Sequence, residues 1–388
     1  MRVLIDARSA AIPERTGVGV YTAALLERLP VVDPHTTYLA WYLHARMLLG
    51  EPSPLRHSTG VSRRVLPLPA RAFEPLLRRG IPRMEWMVRF DVLFAPNFVP
   101  LPTRARPVVL TVHDLGFRRF PDSAPASTRA WLEGFDASLR RAAAILAVSQ
   151  ATKRDLEELF DVGPDRIRVT PLGVDRRVFR RAGDEAVRAV TDRLGVDRPY
   201  LLSLGGLEPR KNLPRLVEAW QRLPDDVRPG LVIAGSNVGW SPEGRDLLAR
   251  ALARLPNPLR RRVVVPGYVH GSDRVALLSG AAALAYPSIY EGFGLPVLEA
   301  MATGTPVVTS TGSSLPEVAG EAAVLVDPLS SESIADGLER VLRDGALRDR
   351  LVQAGFVRAA AYSWDDTARS TAEVFREVAE GRQISRRG

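Results

Sequence analysis

The sequence contains no cysteine, only a few histidines and no long apolar run. Without cysteine, disulfide bridges, thiolate catalysis and cysteine-ligated zinc or iron–sulfur sites are excluded. The histidines are too scattered along the chain to suggest a metal cage, so we expect neither a metal site nor a cofactor. They are His35, His44, His57, His113 and His270.

No apolar run approaches the roughly 20 residues that a membrane-spanning helix needs. The chain begins Met-Arg-Val-Leu-Ile-Asp, with an acid at position 6 where a secretory signal would continue its apolar stretch. We therefore expect a cytoplasmic protein. A length of 388 residues, with 46% hydrophobic and 25% charged, indicates a globular protein of two domains, because single cores stop growing at about 250 to 300 residues.

The net charge of +9 is unevenly divided along the chain. Residues 1–180 contain 27 Arg and Lys against 18 Asp and Glu, whereas the remainder contains 26 of each. This excess in the first half predicts an anionic partner, such as a phosphorylated substrate, an anionic membrane or nucleic acid. The alternative is an arginine-rich composition, which explains the number of arginines but not their distribution.

Short apolar runs alternate with helical stretches, as in parallel sheets whose strands are buried on both faces. The predicted strands are 3–5, 108–112, 144–148, 200–204, 231–234, 263–265, 282–286, 307–309 and 323–326. The predicted helices are 19–29, 127–143, 151–159, 212–222, 273–279, 296–302 and 330–343. Both halves are therefore α/β, with a boundary near residue 185.

The most informative segment is a strand, a glycine-containing loop and a helix start at residues 286–299. Glu291 precedes the predicted helix and Glu299 lies on its first turn. Glycines let a ligand approach the backbone closely, and the free N–H groups of a helix start suit a diphosphate. Carboxylates on either side of that cradle can accept hydrogen bonds from the hydroxyls of a sugar and a ribose. The alternative is a helix start with two ordinary surface glutamates.

This Glu-x7-Glu segment, Glu-Gly-Phe-Gly-Leu-Pro-Val-Leu-Glu, resembles the signature of glycosyltransferase family 4, whose members are retaining enzymes of the GT-B fold. In that family the first glutamate contacts the transferred sugar and the second the ribose, which implies these roles for Glu291 and Glu299. The loop residues that would line the donor are Gly292, Phe293, Gly294 and Leu295.

The resemblance implies two Rossmann-like parallel-sheet domains that face each other across a cleft. We expect the N-terminal, acceptor-side domain at residues 1–184 and the nucleotide-sugar-binding domain at 185–362. Residues 363–388 would form a helix and tail that cross back to the first domain.

Residues 201–213 resemble the family's strand-to-loop segment whose cations hold the diphosphate, opposite Glu291. Gly205 begins the loop and Lys211 stands at the family's lysine position. Many members have arginine directly after the first glycine, where this chain has Gly206, so Arg210 is the candidate for the guanidinium. Cations here would offset the charge that grows on the departing diphosphate without a metal. The alternative is a solvated Arg-Lys pair.

Two features of the first half are also implied by the resemblance. Thr-Gly-Val-Gly at 16–19 resembles the glycine loop that borders the phosphates and the acceptor, which places Gly17 and Gly19 there. His113, after the strand 108–112, would lie beside the donor sugar. A plain turn and a structural histidine are the alternatives. The residues predicted to be catalytic are His113, Glu291, Arg210 and Lys211.

The loop at 266–269 corresponds to the family's loop near the nucleotide base, so Tyr268 and Val269 are expected to bind the donor. Mannose from GDP-mannose is the favoured donor, because 16–19 and Glu-Pro-Arg-Lys-Asn at 208–212 resemble bacterial mannosyltransferases of surface polysaccharide pathways. No residue stands out as a covalent nucleophile, which favours same-face attack guided by the leaving phosphate. The acceptor would be a sugar, a lipid-linked saccharide or a phospholipid headgroup.

Two other functions stay open. A nucleotide-sugar 2-epimerase uses a similar fold, but it would need acid and base residues and no second substrate. A non-catalytic nucleic-acid-binding protein could use the basic first half. We expect no nucleic-acid partner, because the phosphate-handling segments lie in the neutral half.

Residues 63–89 interleave arginines with apolar and aromatic side chains. Such a segment can rest on an anionic bilayer, which would make the protein peripheral to the inner face of the plasma membrane. The alternative is that the apolar residues are core and the arginines a solvated face. The arginines are Arg63, Arg64, Arg71, Arg78, Arg79, Arg83 and Arg89, and the apolar residues are Phe73, Leu76, Leu77, Trp86 and Met87.

Overall fold

The computed structural model describes residues 1–12, 15–45, 55, 59–120, 134–235 and 242–382. They form two compact units. The first comprises the described residues up to Leu115, residues 134–173 and those from Trp364 onward, and the second comprises residues 116–120 and 174–363. Residues 127–133 of one predicted helix, His57, the side chain of Arg71 and most of the C-terminal tail lie outside the described part.

The N-terminal part of the first unit ends at Gly173, whereas the sequence predicts a boundary between residues 184 and 185. Residues 174–183 belong to the second unit because their backbone bonds to it: Val174 N–H donates to Tyr362 O at 3.2 Å, and Ala182 N–H to Ser279 Oγ at 2.9 Å. The predicted boundary falls at the start of a helix.

Both units are built on parallel sheets. The strands are β1 (Arg2–Asp6), β2 (Thr37–Leu43), β3 (Val61–Leu66), β4 (Val92–Ala95), β5 (Val108–Val112), β6 (Ala144–Ala147), β7 (Ile167–Val169), β8 (Tyr200–Leu204), β9 (Gly230–Ala234), β10 (Val263–Gly267), β11 (Ala283–Tyr286), β12 (Val307–Ser310) and β13 (Val324–Val326). In the described residues the sheet orders are β3-β2-β1-β4-β5-β6-β7 and β10-β9-β8-β11-β12-β13.

Helices follow most strands, as parallel connections require. They are α1 (Gly17–Val32), α2 (Ala70–Arg78), α3 (Gly116–Arg119), α4 (Phe135–Arg141), α5 (Gln150–Phe160), α6 (Asp184–Leu194), α7 (Leu213–Arg222), α8 (Pro242–Ala253), α9 (Asn257–Arg260), α10 (Gly271–Gly280), α11 (Leu295–Ala302), α12 (Leu315–Ala319), α13 (Ser331–Arg343), α14 (Gly345–Ala360) and α15 (Trp364–Ala379). Within the described ranges, no helix has the length and apolar character of a membrane span.

The nine predicted apolar runs all coincide with strands, which confirms the α/β class. Strands β2, β3, β4 and β7 are not among the predicted ones. Polar residues interrupt two of them: β3 contains Arg63 and Arg64, and β7 contains Arg168, which is only 5% exposed. Arg168 tolerates burial because it donates to Glu377 of α15 at 3.0 Å.

The C-terminal helix α15 belongs to the first unit. Its inner face is buried, and Phe375 packs on Phe94 of β4 with ring centroids 5.1 Å apart. Arg28 of α1 also pairs with Asp365 at 3.6 Å. Helix α15 therefore packs against β4 and pairs with α1 within the first unit.

Two helical glycines should respond oppositely to alanine. A Cβ at Gly337 on α13 would overlap a methyl group of Val326, whereas one at Gly345 would meet only the flexible end of Arg348 at 3.6 Å. We expect Gly337→Ala to lower the free energy of unfolding by about 1 to 3 kcal/mol through overpacking. Gly345→Ala should raise it by up to about 1 kcal/mol through helix propensity. Urea denaturation followed by circular dichroism would measure both, and equal effects would contradict the packing of α13.

Candidate active site

The second sheet reverses its strand order between β8 and β11, which pair in parallel. Open α/β sheets bind ligands beyond the carboxyl ends of their strands at such a reversal. The segments that follow these strands are tied together there: Ile289 N–H donates to Arg210 O at 2.8 Å, and Asn212 Nδ2 donates to Pro287 O at 3.0 Å. Strand order thus brings two distant sequence motifs to one place.

Glu291 is buried and bound by both predicted cations. Lys211 Nζ donates to one carboxylate oxygen at 2.6 Å, and Arg210 Nη1 donates to the other at 2.8 Å. Arg210 Nε also donates to Glu208 at 2.6 Å, and Lys211 Nζ donates to the Tyr286 hydroxyl at 2.7 Å. The two predicted cations and Glu291 therefore contact one another directly.

The cluster fixes the charge state of its members. Burial by itself would raise the pKa of Glu291, but the charges of Lys211 and Arg210 outweigh burial and lower it to about 2. Burial lowers the pKa of Lys211, and the charge of Glu291 opposes that shift. The carboxylate is therefore ionised at neutral pH and can accept hydrogen bonds from hydroxyl groups.

Two serines that the sequence analysis missed hold the loop before α11. Glu291 N–H donates to Ser313 Oγ at 2.8 Å, and Ser314 Oγ donates to Glu291 O and Phe293 O at 2.9 and 3.0 Å. Both serines follow β12, outside the recognised motif. Gly294, which precedes α11, has a φ of +105°, a left-handed conformation that favours glycine. The loop is thus fixed at both its carbonyls and its turn.

Glu299 forms a second ion pair, with Arg274 of α10, and its side chain is only 7% exposed. Helix α11 begins at Leu295, so Glu299 is its fifth residue and lies beyond the first turn. Burial raises the pKa of Glu299, while the charge of Arg274 opposes that shift. Nε of Arg274 is buried and has no hydrogen-bond partner among the described residues. The sequence does not point to Arg274 as a partner of Glu299, because Arg274 lies on the helix after β10 and Glu299 on the helix after β11.

The loop after β8 packs against the neighbouring strand ends. Gly205 N–H donates to Ala234 O at 3.0 Å, and Gly235 N–H donates to Gly267 O at 2.9 Å. A Cβ at Gly235 would overlap the carbonyl oxygen of Gly205, so this position requires glycine.

The predicted base loop follows β10 at the same edge of the sheet. The rings of Tyr268 and His270 meet edge to face with centroids 4.4 Å apart, and Val269 between them is half-buried. In the sheet order β10-β9-β8-β11, the strand that precedes this loop is three positions from β11.

His113 lies in the first unit, directly after β5. It is 9% exposed, and its Nε2 lies 2.8 Å from Pro96 O. Because a carbonyl can only accept, Nε2 carries the hydrogen and Nδ1 is left as an acceptor. Burial lowers the pKa of His113, so the ring is neutral at neutral pH. Tyr21 packs edge to face on the ring with centroids 4.9 Å apart and holds its orientation.

The predicted glycine loop also lies in the first unit, where Gly17 opens α1. A Cβ at Gly19 would lie 2.7 Å from Ser9 O, so Gly19 lets α1 approach the segment after β1. The structure thus gives Gly19 a packing role, and Gly17 is exposed.

Known proteins resemble this chain over most of its length. The family Glycosyltransferase Family 4 matches residues 15–178, and Glycosyl transferases group 1 matches 191–358. The O-antigen chain mannosyltransferase B of Escherichia coli is 33% identical over 76% of this chain and 77% of that protein. The serotype-specific mannosyltransferase WbdA of Escherichia coli is 30% identical over 64% of this chain, which spans 30% of that longer protein.

Two solved structures share the fold. Sucrose-phosphate synthase from Thermosynechococcus elongatus superimposes with a TM-score of 0.77 at 21% identity, over 98% of this chain and 99% of that one. HepE of Anabaena, in complex with UDP and glucose, gives 0.74 at 18% identity, over 97% of this chain and 100% of that one. At these identities the likeness concerns the fold alone.

The low pKa of Glu291 predicts an acid-sensitive component of stability. Because the folded-state pKa of about 2 lies below the ordinary 4.5, the carboxylate stabilises the fold above pH 4.5, and this contribution is lost as the pH falls toward 2. It amounts to about 3 kcal/mol at pH 7. Glu291→Gln should lower the free energy of unfolding in urea at pH 7, and this deficit should shrink by roughly half at pH 3.

The matched control is Glu243→Gln, which alters an exposed glutamate in the first turn of α8. It should change stability little at either pH. A deficit of Glu291→Gln that is the same at pH 7 and pH 3 would show that Glu291 is not held as an ionised carboxylate.

Proposed function

The chain belongs to glycosyltransferase family 4 and is a glycosyltransferase with the GT-B fold, and from this premise we propose that it transfers mannose from GDP-mannose. Mannose is supported by relatives that are named as mannosyltransferases. As acceptor we propose a sugar, a lipid-linked saccharide or a phospholipid headgroup. The last two would place the enzyme at the inner face of the plasma membrane.

The observation that carries this proposal is the contact of Glu291 with Lys211 and Arg210 at the reversal between β8 and β11. We propose that the donor diphosphate binds beside these cations and against the N–H groups at the start of α11. Glu291 would accept hydrogen bonds from hydroxyls of the sugar, and Glu299 would accept them from the ribose. Tyr268 and Val269 would border the base.

In the proposed reaction, the bond between the anomeric carbon and the diphosphate oxygen breaks while an acceptor oxygen bonds to the same face of that carbon. The acceptor proton passes to the departing phosphate oxygen. The configuration is retained because the new bond forms on the same face as the broken one. Lys211 and Arg210 would stabilise the charge that accumulates on the leaving diphosphate. Because two cations are available for that role, we propose that the reaction needs no metal.

His113 is proposed to bind the donor sugar as a neutral ring. Its Nε2 hydrogen is committed to Pro96 O, so Nδ1 would accept a hydrogen bond from a sugar hydroxyl. The lowered pKa keeps a positive charge off this ring. His113 therefore contributes orientation rather than proton transfer.

A donor panel tests the proposed nucleotide and sugar. Thermal shifts with GDP-mannose, UDP-glucose and ADP-glucose, each measured with and without EDTA, should be largest for GDP-mannose. A donor present at about 100 times its dissociation constant adds about 2.7 kcal/mol to the free energy of unfolding. A larger shift with UDP-glucose would rule out GDP-mannose as the donor, and loss of every shift in EDTA would rule out metal independence.

Variants of the two glutamates should separate binding from turnover. Glu299→Ala should weaken GDP binding about 10- to 100-fold, because a buried carboxylate that accepts ribose hydroxyls is lost. Glu291→Ala should keep or improve GDP affinity, since it leaves Lys211 and Arg210 without their carboxylate partner. It should reduce turnover about 100-fold through the lost sugar contact.

Calorimetry gives the GDP affinity, and GDP release from GDP-mannose with a mannan oligosaccharide acceptor gives turnover. Glu243→Ala serves as the control, because that glutamate is exposed on α8. Wild-type GDP affinity in Glu299→Ala would remove the ribose role from Glu299.

A further inference from the structure

Exposed apolar side chains concentrate in one short segment of the first unit. Of the 13 large hydrophobic residues that are exposed among the described residues, five lie between positions 68 and 87. We call these five the 68–87 surface: Leu68 (40% exposed), Leu76 (41%), Ile81 (51%), Trp86 (66%) and Met87 (40%). A cluster of this kind marks an interaction site more often than scattered apolar residues do.

The end of α2 holds two members of this surface side by side. Ile81 N–H donates to Leu76 O at 3.0 Å, and Gly80 N–H donates to Leu77 O at 2.9 Å, with Gly80 at a φ of +78°. This is a Schellman helix ending, which brings the side chains at the positions of Leu76 and Ile81 together. Leu77 is buried in the core of the unit, so the segment is anchored while its apolar outer face stays exposed.

Arginines flank the same residues. Arg83 lies over the Trp86 ring, with its guanidinium carbon 5.2 Å from the centroid. No ion pair within the described part of the chain involves Arg78, Arg79 or Arg83. The surface is therefore cationic as well as apolar.

The two acids of residues 63–89 bond elsewhere. Glu74 pairs with Arg8 at 3.5 Å. Glu85 accepts hydrogen bonds from Thr103 Oγ1 and from the N–H groups of Arg104 and Ala105. Neither acid pairs with Arg78, Arg79 or Arg83, so the positive charge of these arginines is available to a negatively charged partner.

We propose that the 68–87 surface docks on an anionic lipid bilayer. Trp86, Ile81 and Leu76 enter the boundary between headgroups and acyl chains, while the arginines bind lipid phosphates. An indole and a guanidinium that stack on each other suit this boundary, where one end is apolar and the other wet.

The position of the surface relates docking to catalysis. Glu74 of α2 pairs with Arg8, which donates to Asp6 at the carboxyl end of β1. The 68–87 surface thus adjoins the edge of the first sheet from which α1 and its glycine loop also start. A role for docking in presenting a lipid-borne acceptor rests on the proposed function. Docking itself needs neither donor nor acceptor.

Vesicle flotation tests the docking directly. The full-length protein should float with vesicles of phosphatidylglycerol and phosphatidylcholine at low salt, and it should bind pure phosphatidylcholine vesicles much more weakly. The triple variant R78Q/R79Q/R83Q should weaken binding about 100-fold, since each arginine near an anionic surface contributes about fivefold. The double variant I81S/W86S should also weaken binding to the anionic vesicles, because it removes two apolar side chains that would enter the bilayer.

Matched variants of the second unit separate a defined surface from net charge. R250Q/R254Q/R260Q removes the same charge from exposed positions, and L329S/V357S removes two exposed apolar side chains. Both should float like the wild type, and all variants should keep the wild-type thermal shift with GDP. Equal loss in both arginine triples, or equal flotation with neutral vesicles, would overturn the proposal. So would a dimer in light scattering that I81S/W86S dissociates without changing flotation.

Discussion

The buried carboxylate of Glu291, held by Lys211 and Arg210, is the interaction on which the geometry of the second unit depends. An ionised carboxylate is costly to bury unless charged partners and hydrogen bonds compensate for lost water. Here the compensation comes from a segment about 80 residues earlier in the chain. The loops after β8 and β11 must therefore keep a fixed distance, and the Asn212 and Ile289 backbone contacts hold them at it.

This arrangement has a consequence for anion binding. Lys211 and Arg210 are already balanced by Glu291 and Glu208, so the cluster is neutral before any ligand arrives. In the proposed donor complex, the diphosphate would share these cations with the carboxylates. Such sharing would suit an enzyme that releases a nucleotide diphosphate after each turnover, because a fully uncompensated pair of cations would bind the product more tightly.

The arginines of the first unit divide into two groups with different physical roles. Arg168 is buried and paired with Glu377 of the C-terminal helix, and Arg8 is bound by Asp6. These arginines join parts of the unit to one another. Within the described residues, Arg78, Arg79 and Arg83 form no ion pair, so their positive charge stays available at the surface.

Local sequence patterns were enough to predict the fold class, the family and the segments that meet at the candidate site. Continuous apolar runs such as 200–204 are local patterns, and the Glu291 to Glu299 motif is a local spacing, so both can be read without knowing which elements are neighbours. Strand β7 was not predicted, because it contains Arg168, whose burial depends on a partner more than 200 residues away.

The contacts between side chains could not be predicted from such local patterns. Ser313, Ser314 and Arg274 follow strands β12 and β10, and nothing in their local sequence says that they reach the loop before α11 or Glu299. The direct contact of Glu291 with Lys211 and Arg210 likewise depends on the order of strands in the sheet. Strand order is set by the packing of the whole unit, which no short stretch of sequence contains.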